Sequence, residues 1–144
     1  MNAFELRLEE YAGTTIFIDG VDFRELVRQA ELPYAAADGQ PQLAGSYRGI
    51  RSWDWADLPD QRGDGRAAVL GCWGCGIVEC WPLRVRITRE GDTVTWSDFH
   101  QSHRPKWKHE GLGPFVFSAQ QYDAEVARFI IPMLPPAPSL LRDP

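Results

Sequence analysis

No apolar run in this chain is long enough to cross a bilayer. The opening residues, MNAFELRLEE, alternate with acids where a secretion leader would need a basic head and an apolar stretch. These two absences lead us to expect a cytoplasmic protein with no membrane contact. Cysteine is scarce and odd in number, three in 144 residues, which excludes a fully paired disulfide framework and suits a reducing compartment. The signatures of common enzymes are missing too: there is no phosphate-cradling glycine loop, no G-x-S-x-G, no H-E-x-x-H and no paired-carboxylate spacing. That silence argues against a familiar catalytic class and leaves an unusual one open. Positive charge is short in the first half, where residues 1–65 carry twelve Asp/Glu against six Arg, while residues 66–144 carry eight against nine Lys/Arg. Phosphate neutralisation needs a basic surface, so the balance argues against nucleic acid and is compatible with a basic protein partner.

What is present is enough for one domain. A chain of 144 residues buries about two thirds of its unfolded surface without staples, so neither metal nor disulfide is required for folding. Phe4, Leu6 and Leu8 alternate, and Thr14 to Ile18 is β-branched and stopped by Asp19-Gly20, which predicts two strands. Asp22 and Glu25 resemble a capping box, Phe23, Leu26, Val27 and Ala30 share a face, and Pro33 is expected to end that helix. From Tyr34 to Gly65 the composition predicts a long irregular excursion. Ala67 to Leu70 reads as a strand, and Leu83 to Ser97 as a hairpin turning at Glu90-Gly91-Asp92. Asp98 breaks the hairpin's inward parity. After a loop from His100 to Gly113, Phe115 to Phe117 reads as a strand, and Ser118 with Gln121 opens a helix to about Ile131. The expectation is a single α+β domain over residues 1–131, a mostly antiparallel sheet with two helices packed on it. Residues 132–144 form a Pro-rich tail, read as a terminus without fixed structure rather than a polyproline ligand.

The block GCWGCGIVECWPL, Gly71 to Leu83, holds all three cysteines. Packed as small hydrophobes beside Trp73 and Trp81, they would be buried and slow to react, and this reading leads. The alternative is zinc: Cys72 and Cys75 make one knuckle, Cys80 adds a third sulfur, and His103 is the best-placed fourth ligand, with Asp98 able to orient it. Such a site could be structural, or the centre of a cysteine- or metal-dependent enzyme. The Cys72-Trp73-Gly74-Cys75 spacing also matches redox motifs, but those depend on a following helix, and here a strand follows.

The words LGCWGCGIVECWPLRVRI, TVTWSDFHQSHRPKW and LGPFVFSAQQY together resemble a family of small uncharacterised bacterial proteins, over about Ala67 to Tyr122. CWPL and WSDF are the specific part. The resemblance implies no activity.

Two other stretches carry chemistry. HQSHRPKWKH, His100 to His109, reads as a solvated loop with Trp107 in the core, against the alternative of an anion or single-strand site. Trp53, Asp54, Trp55, Asp57 and Asp60 set two indoles among three acids in the long excursion. Aromatic anchors in a negative rim suit a basic partner, which points to a non-enzymatic interaction protein of the immunity or adaptor type.

Overall fold

The computed structural model describes residues 1–10, 13–58, 60, 63–73 and 80–130. Alternation and turn chemistry account for its first hairpins. Phe4–Leu8 (β1) pairs antiparallel with Thr14–Ile18 (β2), and Phe4, Leu6, Ile16 and Ile18 are all buried, so the two-residue period puts one apolar face inward. Asp19 and Gly20 both take left-handed backbone, at φ 53° and 80°, as a two-residue hairpin turn requires, and Val21–Asp22 (β3) returns along β2. The Asp22 carboxylate then accepts the Arg24 N–H at 2.9 Å and caps Phe23–Ala37 (α1). Glu25 does not complete the capping box, because its carboxylate is held by Arg28.

The helix does not end before Pro33, as its sequence predicts. Proline inside a helix costs about 3 kcal/mol through a lost hydrogen bond and a ring clash. That cost is offset downstream: Ala35 is buried with Ala44 and Trp107, and Asp38, just beyond the helix, accepts the Trp107 indole N–H at 3.0 Å. The excursion predicted to be irregular contains two 3-10 turns, Pro41–Leu43 and Ser52–Ala56, and the strand Tyr47–Gly49 (β4). Elements of three to five residues are too short to leave a period in the sequence.

β4 is the edge of a five-stranded sheet in the order β4-β5-β6-β7-β8, completed by Arg66–Cys72 (β5), Leu83–Glu90 (β6), Thr93–Gln101 (β7) and Phe115–Ser118 (β8). All its neighbours are antiparallel. The fold is therefore α+β with two helices packed against antiparallel sheet, but the strands form a three-stranded and a five-stranded sheet rather than one. The two sheets meet through aromatic side chains: the Phe4 ring lies 5.5 Å from Trp96 and 5.1 Å from Phe117. Their backbones also approach closely at Gly49, where a Cβ would fall on the Thr14 carbonyl.

Asp98 breaks parity because it forms a β-bulge. The register shifts between Arg84 and Arg86, Asp98 takes φ 57°, and the buried positions of β7 change from Val94 and Trp96 to Phe99 and Gln101. Ser118 caps Ala119–Ile130 (α2) by accepting the Gln121 N–H at 3.3 Å. The side chains of α2 reach instead to β1: Gln121 bonds both the N–H and the carbonyl of Phe4, Glu125 accepts the Leu6 N–H, and Arg128 donates to the Leu6 carbonyl. Among the described residues no helix is long and apolar enough to cross a membrane. The Pro-rich tail, 132–144, lies outside the described residues.

Candidate functional site

The acidic Trp loop folds as the second 3-10 turn, which presents its two indoles in opposite directions. Trp55 is 4% exposed and stacks on Trp96, with centroids 6.3 Å apart and planes 12° apart. It cannot be a partner anchor, because its indole completes the core. Trp53 is 61% exposed. Of the acids, Asp57 is exposed and Asp54 half-buried, whereas Asp60 accepts the Gly63 and Gly65 N–H groups, both at 2.9 Å, and sits 3.5 Å from the Arg84 guanidinium. Asp60 therefore organises the turn before β5. The fold also brings in acids that the loop's own sequence does not contain. Gly13 bridges to Arg51 and bonds both Glu9 and Glu10, which sets the β1–β2 turn beside the start of the Trp53 turn.

The cysteine block connects the neighbouring strands β5 and β6, as its flanking strands predict. The expectation of inward, buried sulfurs fails at Cys80, which is exposed, and Trp73 is 66% exposed. The inward positions here are taken by Pro82 and Leu83, leaving Trp73 and Cys80 on the rim. Cys72, half-buried at the end of β5, and Cys80 border one apolar groove of about 650 Å³ with Leu43, Trp73 and Trp81. Cys75 lies outside the described residues. The His103 ring lies flat against Trp81, centroids 5.7 Å apart, and Arg104 sits over the same indole. Among the described residues no group of three metal-ligating side chains forms. Asp98 does not orient His103; it pairs with Arg66 at 2.7 Å and Arg86 at 3.5 Å.

A third arrangement was missed in the sequence. Glu31, fully buried on α1, takes three donors: the Gly45 N–H at 2.9 Å, the Tyr47 hydroxyl at 2.6 Å and His109 Nε2 at 2.7 Å. Tyr47 in turn accepts from the Gln101 amide at 3.0 Å, and Gln101 Oε1 accepts the His103 backbone N–H. Burial, and then the Glu31 carboxylate, push the Tyr47 hydroxyl well above the ordinary tyrosine range. One signal could have found this knot: Phe23, Val27, Glu31 and Ala35 recur every four residues on the buried face of α1, and the third of them is an acid.

His109 also lines a polar cleft of about 470 Å³, together with Arg66, Asp98, His100, Lys108 and Glu110. Burial is the main cause that lowers the His100 pKa below the usual 6.5, with Arg66, Arg84 and His109 adding to it and Asp64 opposing. Three candidate surfaces thus coexist: an aromatic-acidic turn, an apolar groove beside two thiols, and a polar cleft backed by a buried carboxylate. Comparison with family models, curated proteins and solved structures gives no match for this chain.

Proposed function

We propose that this chain is a non-enzymatic cytoplasmic interaction protein, of the immunity or adaptor type, that takes a basic protein partner on the Trp53 turn. The observation that carries the reading is the pairing of an outward Trp53 with an inward Trp55 on one short turn. An exposed indole held on a backbone that the core already fixes loses little freedom on binding, and such pre-ordered aromatic anchors dominate interface energetics. The rim around it is acidic, with Asp57 and Glu10 exposed and Asp54 half-buried. Negative charge of this kind speeds encounter with a basic surface and makes it salt-dependent. Trp55 serves this surface by holding its backbone. The test is capture on the immobilised chain, eluted by salt, comparing wild type with Trp53→Ala, and with Lys106→Ala, on the loop after β7, as a control. Loss of a basic protein in Trp53→Ala alone supports the reading; identical profiles for all three remove it.

A second reading has one observation in its favour: Cys72 and Cys80 open on the same groove, so two of the four residues in the zinc set, Cys72, Cys75, Cys80 and His103, are neighbours. For His103 to join them its ring would have to leave Trp81. Elemental analysis of protein purified without chelator decides it, and a metal-to-protein ratio near zero ends the zinc reading.

A further inference from the structure

We propose that the cleft between β7 and the 105–114 loop binds a small oxyanion, a phosphate or carboxylate group, held by His109, His100 and Lys108. The site is built from the inside outward. Glu31 fixes the His109 ring by accepting from Nε2 at 2.7 Å, and the side chain of His109 is 1% exposed. With Nε2 committed, the second ring nitrogen, Nδ1, is buried and has no hydrogen-bond partner among the described residues. Buried polar atoms without partners are rare and cost about 1–3 kcal/mol each, so an orphan on the wall of a cleft marks a place where a ligand atom is missing. With Nε2 donating to Glu31, Nδ1 is an acceptor, and the O–H of a protonated oxyanion such as hydrogen phosphate supplies the donor it lacks while the remaining oxygens face Lys108.

The cleft is lined by two cations and two acids, Arg66 and Lys108 against Asp98 and Glu110, and the pairing among them favours an anion. Asp98 is already paired with Arg66 and Arg86, whereas Lys108 makes no ion pair among the described residues. Glu110 is exposed. His100, on the outer side of β7 opposite Arg84, makes no side-chain hydrogen bond among the described residues. The charges reaching His100 from Arg66 on β5, Arg84 on β6 and His109 are all positive in effect, with Asp64 alone opposing. Trp107 plays no stacking part, since its indole is buried and bonded to Asp38. This separates the site from a single-strand surface, which needs exposed rings.

The test uses the whole chain, titrated with inorganic phosphate and separately with acetate at constant ionic strength set by chloride. Imidazole nitrogen and carbon-bound proton resonances are followed by NMR. We expect saturable shifts at His109 and His100, with His109 Nδ1 moving as it gains a hydrogen bond. Lys108→Ala, at an exposed position without an ion pair among the described residues, should weaken binding about tenfold, and Arg104→Ala, outside the cleft, should leave it unchanged. Tighter phosphate assigns a phosphate ligand, and tighter acetate a carboxylate. Shifts no larger than those with chloride, or equal affinity in Lys108→Ala, overturn the site. His109→Gln adds a check where it folds, and Lys108→Ala keeps the test open where it does not.

Discussion

Two parts of the interior are equally buried and differently built. Around Trp96 the surroundings are rings, with Phe4, Phe23, Trp55, Phe117 and Tyr122 at centroid distances of 5.5 to 6.3 Å and one hydrogen bond, from the indole N–H to Tyr122. Around Glu31 the surroundings are donors, and Tyr47, Gln101 and His109 are bound to it directly or through one another. Apolar contact is lost gradually as a cavity grows, but a carboxylate whose donors are removed keeps the whole cost of its desolvation. The first part holds the sheets together. The second fixes where a few polar atoms stand, including those on the wall of the cleft.

The largest effect should come from the aromatic part. Trp96→Ala is expected to cost about 3–5 kcal/mol in urea unfolding, since it empties the meeting point of both sheets. A loss below about 1 kcal/mol would mean that the ring cluster is not the main core. Glu31→Ala should cost about 3 kcal/mol by leaving three donors unpaired. The sharper experiment is the pair Glu31→Leu and His109→Leu, separately and together. If the knot contributes placement rather than stability, the double variant should be less destabilised than the sum of the singles by about 1–3 kcal/mol. Simple additivity would erase the distinction between the two parts.

Alkaline unfolding compares them through their tyrosines. Burial pushes Tyr122 up to about 12, while burial and the Glu31 charge hold Tyr47 well above its ordinary 10. An unfolded tyrosine loses its proton near pH 10 and these folded ones keep theirs, so stability falls as pH rises past about 10. Unfolding free energies between about pH 9 and 11 should flatten about equally in Tyr47→Phe and Tyr122→Phe, since each folded hydroxyl keeps its proton across that window, and the two variants should part only near pH 12, where folded Tyr122 begins to ionise. Equal slopes that persist at about pH 12 would show that Glu31 adds nothing to burial. The smallest effect belongs to the surface: Trp53→Ala should change stability by less than about 0.5 kcal/mol, whereas Trp55→Ala, two residues on, should cost about 3 kcal/mol. Similar losses in the two would place both indoles in the core.

Most strands were legible because their alternation is strong and their turns carry Asp-Gly or Gly-Asp. Both helix starts were legible at Asp22 and Ser118, although in neither case does the second half of the capping box form. The end of α1 was not, since the reason to continue past Pro33 is Trp107, which is distant in sequence. Pattern can place two tryptophans in one loop, but only the packing around Trp96 decides which faces water. The cysteine block was misread at Cys80 for the same reason: composition says that cysteine and tryptophan are commonly buried, and local geometry gave the inward positions to Pro82 and Leu83. The cleft was least legible, because its parts come from α1, β5, β7 and the loop after β7, and no single window of sequence contains them.

The reach of α2 across to β1 has a consequence for how this chain behaves in company. β1 is the outer strand of its sheet, and a bare outer strand is a template on which another molecule's strand can grow. Here Gln121, Glu125 and Arg128 occupy the backbone groups of Phe4 and Leu6 that such a strand would need. The helix imitates a neighbouring strand with its side chains, one amide and one ion pair standing in for a ladder. Edge-to-edge aggregation is thereby opposed by three exposed or half-exposed polar residues on a helix, at no cost to the packing of the rings beneath them.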